Sequence, residues 1–385
     1  MMPTLKTICS YRKEKIDPRS LQSNSYVSTD GMASNKKGIF RFSIPPAHGK
    51  VTRYLKDDIL VSNIRPYFKK IWLADRDGGC SNDILVFTPN EYCSSEYLYW
   101  LLCNDTFFDY ASATAKGTKM PRGDKNALLD YPIQKHNRQL QEAIVRILRP
   151  IQQQLAINSR INDHLLEIAL SEYKDLSQQS ISKRTLQDCT SLLCRGGAPK
   201  YCEKGEFRAL NQRCIRNHKI ADENARRIAR PKSTERLLRY GDILICSTGT
   251  GTLGRSAQVL FHDEQMTADS HVTIVRPAHE ALIEYLGCWA LLSEDQFELM
   301  AKGSTGQTEL PRTELAELEI RLPDAASLDD FSGKTKPLFE ATQSNIRENQ
   351  SLERLRDALL PKLMSGEIDI SRIDLKQLNG HLSES

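Results

Sequence analysis

Asn158-Ser159-Arg160-Ile161-Asn162-Asp163-His164-Leu165-Leu166-Glu167-Ile168 is echoed by Asn345-Ile346-Arg347-Glu348-Asn349-Gln350-Ser351-Leu352-Glu353-Arg354-Leu355, at an offset of 187 in a chain of 385 residues. Asn158, Arg160, Asn162, Leu165 and Ile168 match Asn345, Arg347, Asn349, Leu352 and Leu355. Each copy sits in a long stretch whose apolar residues alternate at spacings of three and four, the seam of a coiled coil. The first runs from about Asn137 to Leu176, with Ile144, Leu148, Ile151, Leu155, Ile161, Leu165 and Ile168. The second runs from about Ser327 to Ser365, with Leu338, Ile346, Leu352, Leu355, Leu359 and Leu363. Pro337 is expected to start or kink the second helix, as Pro150 kinks the first. At 1.5 Å per residue such helices are about 50–60 Å long. Neither can bury its stripe against itself, but the two can cover each other as an antiparallel pair. Asn158 and Asn345 fall on or beside the seam, where a buried Asn costs stability and fixes register; the alternative is a pair of surface asparagines.

Two more matches keep the same order along the chain. Asp58-Ile59-Leu60-Val61-Ser62 resembles Asp242-Ile243-Leu244-Ile245-Cys246 at an offset of 184, and Met120-Pro121-Arg122 resembles Leu310-Pro311-Arg312 at 190. Three collinear matches indicate a duplicated architecture. Short apolar runs such as Asp83–Phe87 and His271–Val275 read as strands, and Ser95–Cys103 and Glu280–Leu292 as helices. The expected fold class is α+β: two similar β-rich α/β domains separated by two long helices packed as an antiparallel coiled coil with pseudo-two-fold symmetry. The expected boundaries are 1–135, 136–180, 181–324, 325–372 and a tail over 373–385. Held apart by rods of this length, two modules could sit on half-sites one B-DNA turn apart, about 34–36 Å.

Composition is that of an ordinary soluble chain, with 26% charged residues and a net charge of +4. No apolar run approaches the roughly 20 residues of a membrane span, and Met1–Ser20 has no apolar core of a signal peptide. A cytoplasmic chain with reduced thiols is expected. Charge is uneven: Arg195–Arg239 holds 13 Lys/Arg against 5 Asp/Glu, and residues 1–135 hold 20 against 14. Cys189, Cys194, Cys202 and Cys214 cluster without any C-x-x-C pair, so no metal site is expected. The phosphate loop of ATP-driven motors, the Asn/Asp-Pro-Pro-aromatic tetrapeptide of amino-methyltransferases, the His-Glu-x-x-His helix and the Gly-x-Ser-x-Gly elbow are all missing from the sequence. Gly249-Thr250-Gly251-Thr252-Leu253-Gly254 fits G-x-G-x-x-G, but Arg255–Phe261 after it reads as a second strand of a hairpin. A dinucleotide site would need a helix there.

Leu363-Met364-Ser365-Gly366-Glu367-Ile368 after Leu359-Leu360-Pro361-Lys362, Tyr240–Leu244 followed by Ser247–Arg255, Gly197–Tyr201, Leu210–Arg213, Asp58–Arg65 and Gln141–Glu167 together resemble the DNA-specificity subunit of type I restriction-modification systems. The resemblance covers essentially the whole chain. It implies that each β-rich domain is a target-recognition domain reading one half of a split sequence in double-stranded DNA. The helices would be the spacer. Two methyltransferase (modification) subunits and motor-nuclease (restriction) subunits would be the partners, and S-adenosylmethionine, ATP and Mg would be bound by them, with no cofactor in this chain and no membrane.

On that reading the second domain's DNA contacts are Lys200, Asn211, Gln212, Arg213, Ser247, Thr248, Thr250, Arg255, Lys302, Ser304, Thr305, Gln307 and Arg312. The position-matched set of the first is Ser28, Thr29, Asn63, Arg65, Tyr67, Lys69, Lys70, Lys116, Thr118, Lys119 and Arg122. The spacer seam is Ile144, Leu148, Ile151, Leu155, Asn158, Leu165, Leu338, Asn345, Leu352, Leu355 and Leu359. Asn63-Ile64-Arg65 stands where Ser247-Thr248-Gly249 stands, and Val27-Ser28-Thr29 where Asn211-Gln212-Arg213 stands, so the two half-sites should differ. A coiled-coil structural adaptor, or a nuclease or methyltransferase with a degenerate motif, are the alternatives.

Overall fold

The computed structural model describes residues 3–231, 233–303, 308–368 and 370. The chain divides into two compact units: residues 1–155 with 350–385, and residues 156–349.

In the first unit the strands are β1 (Cys9–Tyr11), β2 (Lys15–Ile16), β3 (Tyr26–Val27), β4 (Val51–Tyr54), β5 (Ile59–Ser62), β6 (Ile71–Leu73), β7 (Gly78–Cys80) and β8 (Ile84–Pro89). They form two four-stranded sheets, β1-β8-β5-β6 and β2-β4-β7-β3. Helices α1 (Ser95–Cys103), α2 (Asp105–Ala113) and α3 (Lys125–Leu129) follow. Each opens on a side-chain cap, from Ser94, Asn104 and Asp124 in turn. The buried face of the β1-β8-β5-β6 sheet packs on α1 and α2 through Phe87, Leu98, Phe107 and Phe108. Burying each such side chain stabilises by about 1.5–3 kcal/mol.

The first unit also holds the start of α4 (Arg138–Gln179) and the end of α8 (Ala325–Ser365). Ile144, Val145 and Leu148 share one core with Leu360, Leu363 and Met364. Gly366, at φ +73°, ends α8 in the left-handed conformation that glycine adopts at least cost.

In the second unit the strands are β9 (Ser182–Thr185), β10 (Thr190–Arg195), β11 (Phe207–Leu210), β12 (Ile215–Arg216), β13 (Lys219–Ile220), β14 (Arg226–Ile228), β15 (Ile243–Cys246), β16 (Ser256–Gln258), β17 (Met266–Ala268), β18 (Val272–Pro277) and β19 (Glu319–Leu322). Helices α5 (Ile283–Leu292), α6 (Glu294–Leu299) and α7 (Arg312–Ala316) pack with them. The main sheet is β10-β18-β15-β16, the same order as β1-β8-β5-β6. Register agrees too: Ile59 faces Phe87 and Ile243 faces Val275. The parallel pair β3–β7 recurs as β11–β17. Where β3 is an edge strand, β11 gains β14 on its free side.

The repeat extends to buried charge. Asp58 accepts a hydrogen bond from the Leu55 N–H and Asp242 from the Arg239 N–H, each at 2.8 Å. Each carboxylate is also gripped by an arginine, but from different strands. Arg12, just past β1, donates to Asp58 at 2.6 and 3.0 Å, whereas Arg276 on β18 donates to Asp242 at 2.8 Å twice. A buried carboxylate demands such a partner, and the two halves supply it independently.

The helices repeat as expected, with sharper boundaries. Asn137 caps α4 and Asp324 caps α8, each accepting the N–H three residues on at 2.9 Å. Helix α8 therefore begins two residues before the expected Ser327, and Pro337 does not start it. The helices run on through Pro150, Pro337 and Pro361, each lacking one helical hydrogen bond.

In the second unit the facing stretches pair reciprocally: Asn158 donates to Asn349 at 2.9 Å, and Asn345 donates to Asn162 at 2.7 Å. Since Asn158 matches Asn345 and Asn162 matches Asn349, the contact is antiparallel and symmetric about its own middle. The asparagines are seam residues, not surface ones, with Asn345 and Asn349 half-buried. Asn158 and Asn162 are buried, Leu155 and Leu165 half-buried, and Ile144, Leu148 and Ile151 buried; Leu338, Leu352 and Leu359 are half-buried on α8. Leu355 is a correction. It is 48% exposed, and Arg356 at 4% occupies the inward position. Ile161 and Ile168 likewise face solvent, because the seam passes through Asn158, Asn162 and Ala169 instead.

Candidate nucleic-acid interface

Both units end their main sheet on the same group of loops. Strand β5 runs into Asn63–Lys70 and β15 into Ser247–Arg255. A backbone pairing lies beside each: Lys116 and Arg122 exchange hydrogen bonds at 2.8 and 2.9 Å, as Lys302 and Glu309 do at 2.8 Å. The next residues tie it to the strand end, Gly123 N–H to Asn63 O at 3.1 Å and Leu310 N–H to Ser247 O at 2.8 Å. The turns after β3 and β11 complete the group. These pairings correct two matches. Arg122 corresponds to Glu309, not Arg312, which corresponds to Lys125 at the start of α3. Ser28 corresponds to Asn211, one residue off the sequence match, because Val27 and Leu210 occupy equivalent places in the parallel pair. Met120-Pro121-Arg122 and Leu310-Pro311-Arg312 look alike but are not equivalent: Pro121 lies within its hairpin, one residue before Arg122 closes it, whereas Pro311 lies between the Lys302–Glu309 pairing and α7.

In the first unit Arg65 combines a left-handed backbone, which Lys36 and Lys69 share, with a following proline. It sits at φ +49°, ψ +66° directly before Pro66. A left-handed conformation costs a non-glycine residue roughly 1–2 kcal/mol, and proline disfavours helical geometry in the residue before it. The loop enforces it: the Arg65 N–H donates to Pro121 O at 2.8 Å, and Arg65 O accepts from Phe68 N at 2.9 Å. Its Nε is buried with no partner among the described residues. Tyr67 is exposed, its ring tilted 56° to that of Phe68 with centroids 4.8 Å apart.

Other members are committed elsewhere. Lys69 reaches Asp105 at 2.9 Å, Lys70 donates to Thr29 O at 2.6 Å, Lys116 pairs with Asp124 at 2.6 Å, and Arg122 pairs with Asp83 at 3.1 Å. The Ser28 hydroxyl lies 2.7 Å from that of Ser43. Thr118 and Lys119 are exposed at the hairpin tip. Asn63, at 6% exposure, is a correction, its Oδ1 buried and unpartnered.

In the second unit Gly249, Gly251 and Gly254 all have positive φ, so the glycine-rich stretch is a run of turns joining β15 to β16. It opens no helix, as expected of a hairpin. Arg255 donates back to Gly251 O at 2.5 Å. The Thr248 hydroxyl lies 2.6 Å from His271 Nδ1. Thr250, Lys200, Arg213, Lys302 and Arg312 are exposed; Asn211 and Gln212 are half-buried. Asn211 donates to Asn224 O at 3.2 Å. Ser247 is a correction: it is fully buried, its hydroxyl 2.5 Å from Thr273, so its side chain reaches no surface. Ser304, Thr305 and Gln307 lie outside the described residues.

Three features escaped sequence reading. Asp83 and Arg122 in the first unit stand where His271 and Glu309 stand in the second, a loss of the acid at one place and a reversal of sign at the other that are visible only once register is known. Strand β14 brings Arg226, whose guanidinium lies 3.5 Å from the ring centroid of exposed Tyr201. No carboxylate among the described residues lies within ion-pair distance of Arg213, Arg226 or Arg230.

Comparison with known proteins follows the same lines. The chain is 23% identical over 319 residues to the MjaIX type I restriction enzyme specificity subunit of Methanocaldococcus jannaschii, covering 74% of this chain and 72% of the relative. The chain resembles type I restriction specificity subunits. A second such subunit, EcoDI of Escherichia coli, is 29% identical over 164 residues, 42% of this chain and 35% of its own. Among solved structures, the type I restriction-modification S subunit from M. genitalium shares the fold, with a TM-score of 0.51 at 18% identity over 94% of this chain and 96% of that one. No family model matches the chain.

Proposed function

We propose that the chain is the sequence-specific DNA-recognition subunit of a type I restriction-modification complex. Each unit's loop group reads one half of a bipartite target in duplex DNA, and the long helices fix the gap. Methyltransferase and motor-nuclease subunits dock on this chain and supply the chemistry with their S-adenosylmethionine, ATP and Mg. The observation that carries this is the repeat itself: one sheet-and-hairpin scaffold occurs twice, with unlike side chains on equivalent loops. A scaffold held constant while its loops diverge is what two different half-sites demand.

The test is selection of binding sites from a randomised duplex library by the purified full-length chain. A split motif with two unlike halves and a constant gap is expected, with affinity falling steeply as salt rises. A perfect palindrome, or binding without sequence preference, would overturn the reading. Assayed alone, the chain should neither cleave DNA nor transfer methyl groups.

A further inference from the structure

We infer that Arg65 is the residue through which the first unit reads a guanine in the major groove, and that the second unit has no counterpart at that place. The inference rests on the proposed function and sharpens it. Three observations converge on Arg65. Its backbone is held left-handed before a proline, where a glycine would fit freely and an arginine does not. Conformations of that kind survive where the surroundings impose them and gather at binding sites. Its Nε is buried without a hydrogen-bond partner, so the protein has already removed water from the inner edge of the guanidinium. Finally, no carboxylate among the described residues pairs with its head, in contrast to neighbouring Lys69, Lys116 and Arg122, each of which is tied to an aspartate.

An arginine in this state presents two terminal N–H groups as a fixed fork. That fork matches the O6 and N7 acceptors of guanine, which no other base offers side by side in the major groove. A phosphate would accept the same charge but requires no strained backbone to aim it. In the second unit the equivalent residue is Gly249, at φ +102°. The positive φ is kept and the side chain is missing, so this readout belongs to one half-site only.

The experiment compares Arg65→Gly and Arg65→Lys with the natural chain in the randomised-duplex selection. Glycine suits the observed backbone, so Arg65→Gly should fold and melt no lower than the parent. Its expected effect is loss of one guanine preference in one half-site, by roughly 5- to 150-fold, with the other half and the gap unchanged. Arg65→Lys keeps the charge but not the fork and should lose most of the same preference. A uniform loss of affinity for all sequences, with a smaller salt slope and an intact motif, would make Arg65 a phosphate contact and overturn the inference. So would a natural motif with no guanine affected by either variant. Failure of the proposed function is distinguishable, since the natural chain would then select no motif at all.

Discussion

At the residue scale the first unit is held together by an unusual cation. Lys36 is 5% exposed, sits at φ +63°, and places its ammonium 3.1 Å from both Asp105 on α2 and Asp357 on α8. Its N–H also donates to Lys69 O at 2.8 Å, so it braces the loop that carries Arg65. Burial raises the pKa of Asp105 and Asp357, but hydrogen bonds from Lys69 and Lys36, and from Arg356 and Lys36, outweigh it and hold both below the usual carboxylate range. Depressed carboxylates contribute stability that is present above about pH 4 and lost as pH falls through their lower native values. Lys36→Met should therefore cost about 1–3 kcal/mol in urea denaturation at pH 7, with the difference from the parent shrinking below about pH 4. A difference that grows on acidification would contradict the assignment. Thiols give an independent check. Burial pushes Cys9, Cys80, Cys93, Cys246 and Cys288 up to about 12. Cys202 is exposed, so it should react fastest with a disulfide reagent in the native chain.

At the element scale the helices were legible because their signal is long. Forty residues of three-four spacing, an Asn or Asp cap and a matched proline leave little freedom. What the pattern concealed was which apolar residues face inward. Leu355 and Ile168 look like seam residues by type, yet the buried amides of Asn158 and Asn162 set a register that turns them out. Inserting seven residues between Asn158 and Leu165, with seven more opposite them between Thr342 and Asn349, preserves the pairing. At 1.5 Å per residue and about 3.4 Å per base pair, the preferred gap should lengthen by about 3 base pairs with both half-motifs unchanged; an unaltered gap would refute the spacer role. Strand β14 makes the units unequal. Replacing Arg226 and Arg230 by Gln should reduce the salt slope by about 0.9 for each phosphate they neutralise, while the selected bases stay the same. A changed motif would mean that these arginines read bases.

At the scale of the whole molecule, the duplication was readable from three collinear matches, and the main sheets bear it out strand for strand. The loop groups were legible only in outline. Glycines, basic residues and hairpin signals marked where they are, and Asn63 and Arg65 keep their matches to Ser247 and Gly249, but the pairs at Ser28 and Arg122 shift by one residue and by three. Burial could not be read either: Asn63 and Ser247 are polar and open loops, yet both are buried at the strand ends they terminate. The change from Asp83 and Arg122 to His271 and Glu309 shows why. The backbone pairings that position these residues are the same in both halves, and the side chains are not. The most direct test is the motif selected by the Arg213→Ala, Arg255→Ala double variant beside that of the natural chain. Two independent readers predict that one half-motif loses preference, at a cost of roughly 1–3 kcal/mol for each base contact removed, while the other half and the gap persist. Loss of both halves together would contradict the account.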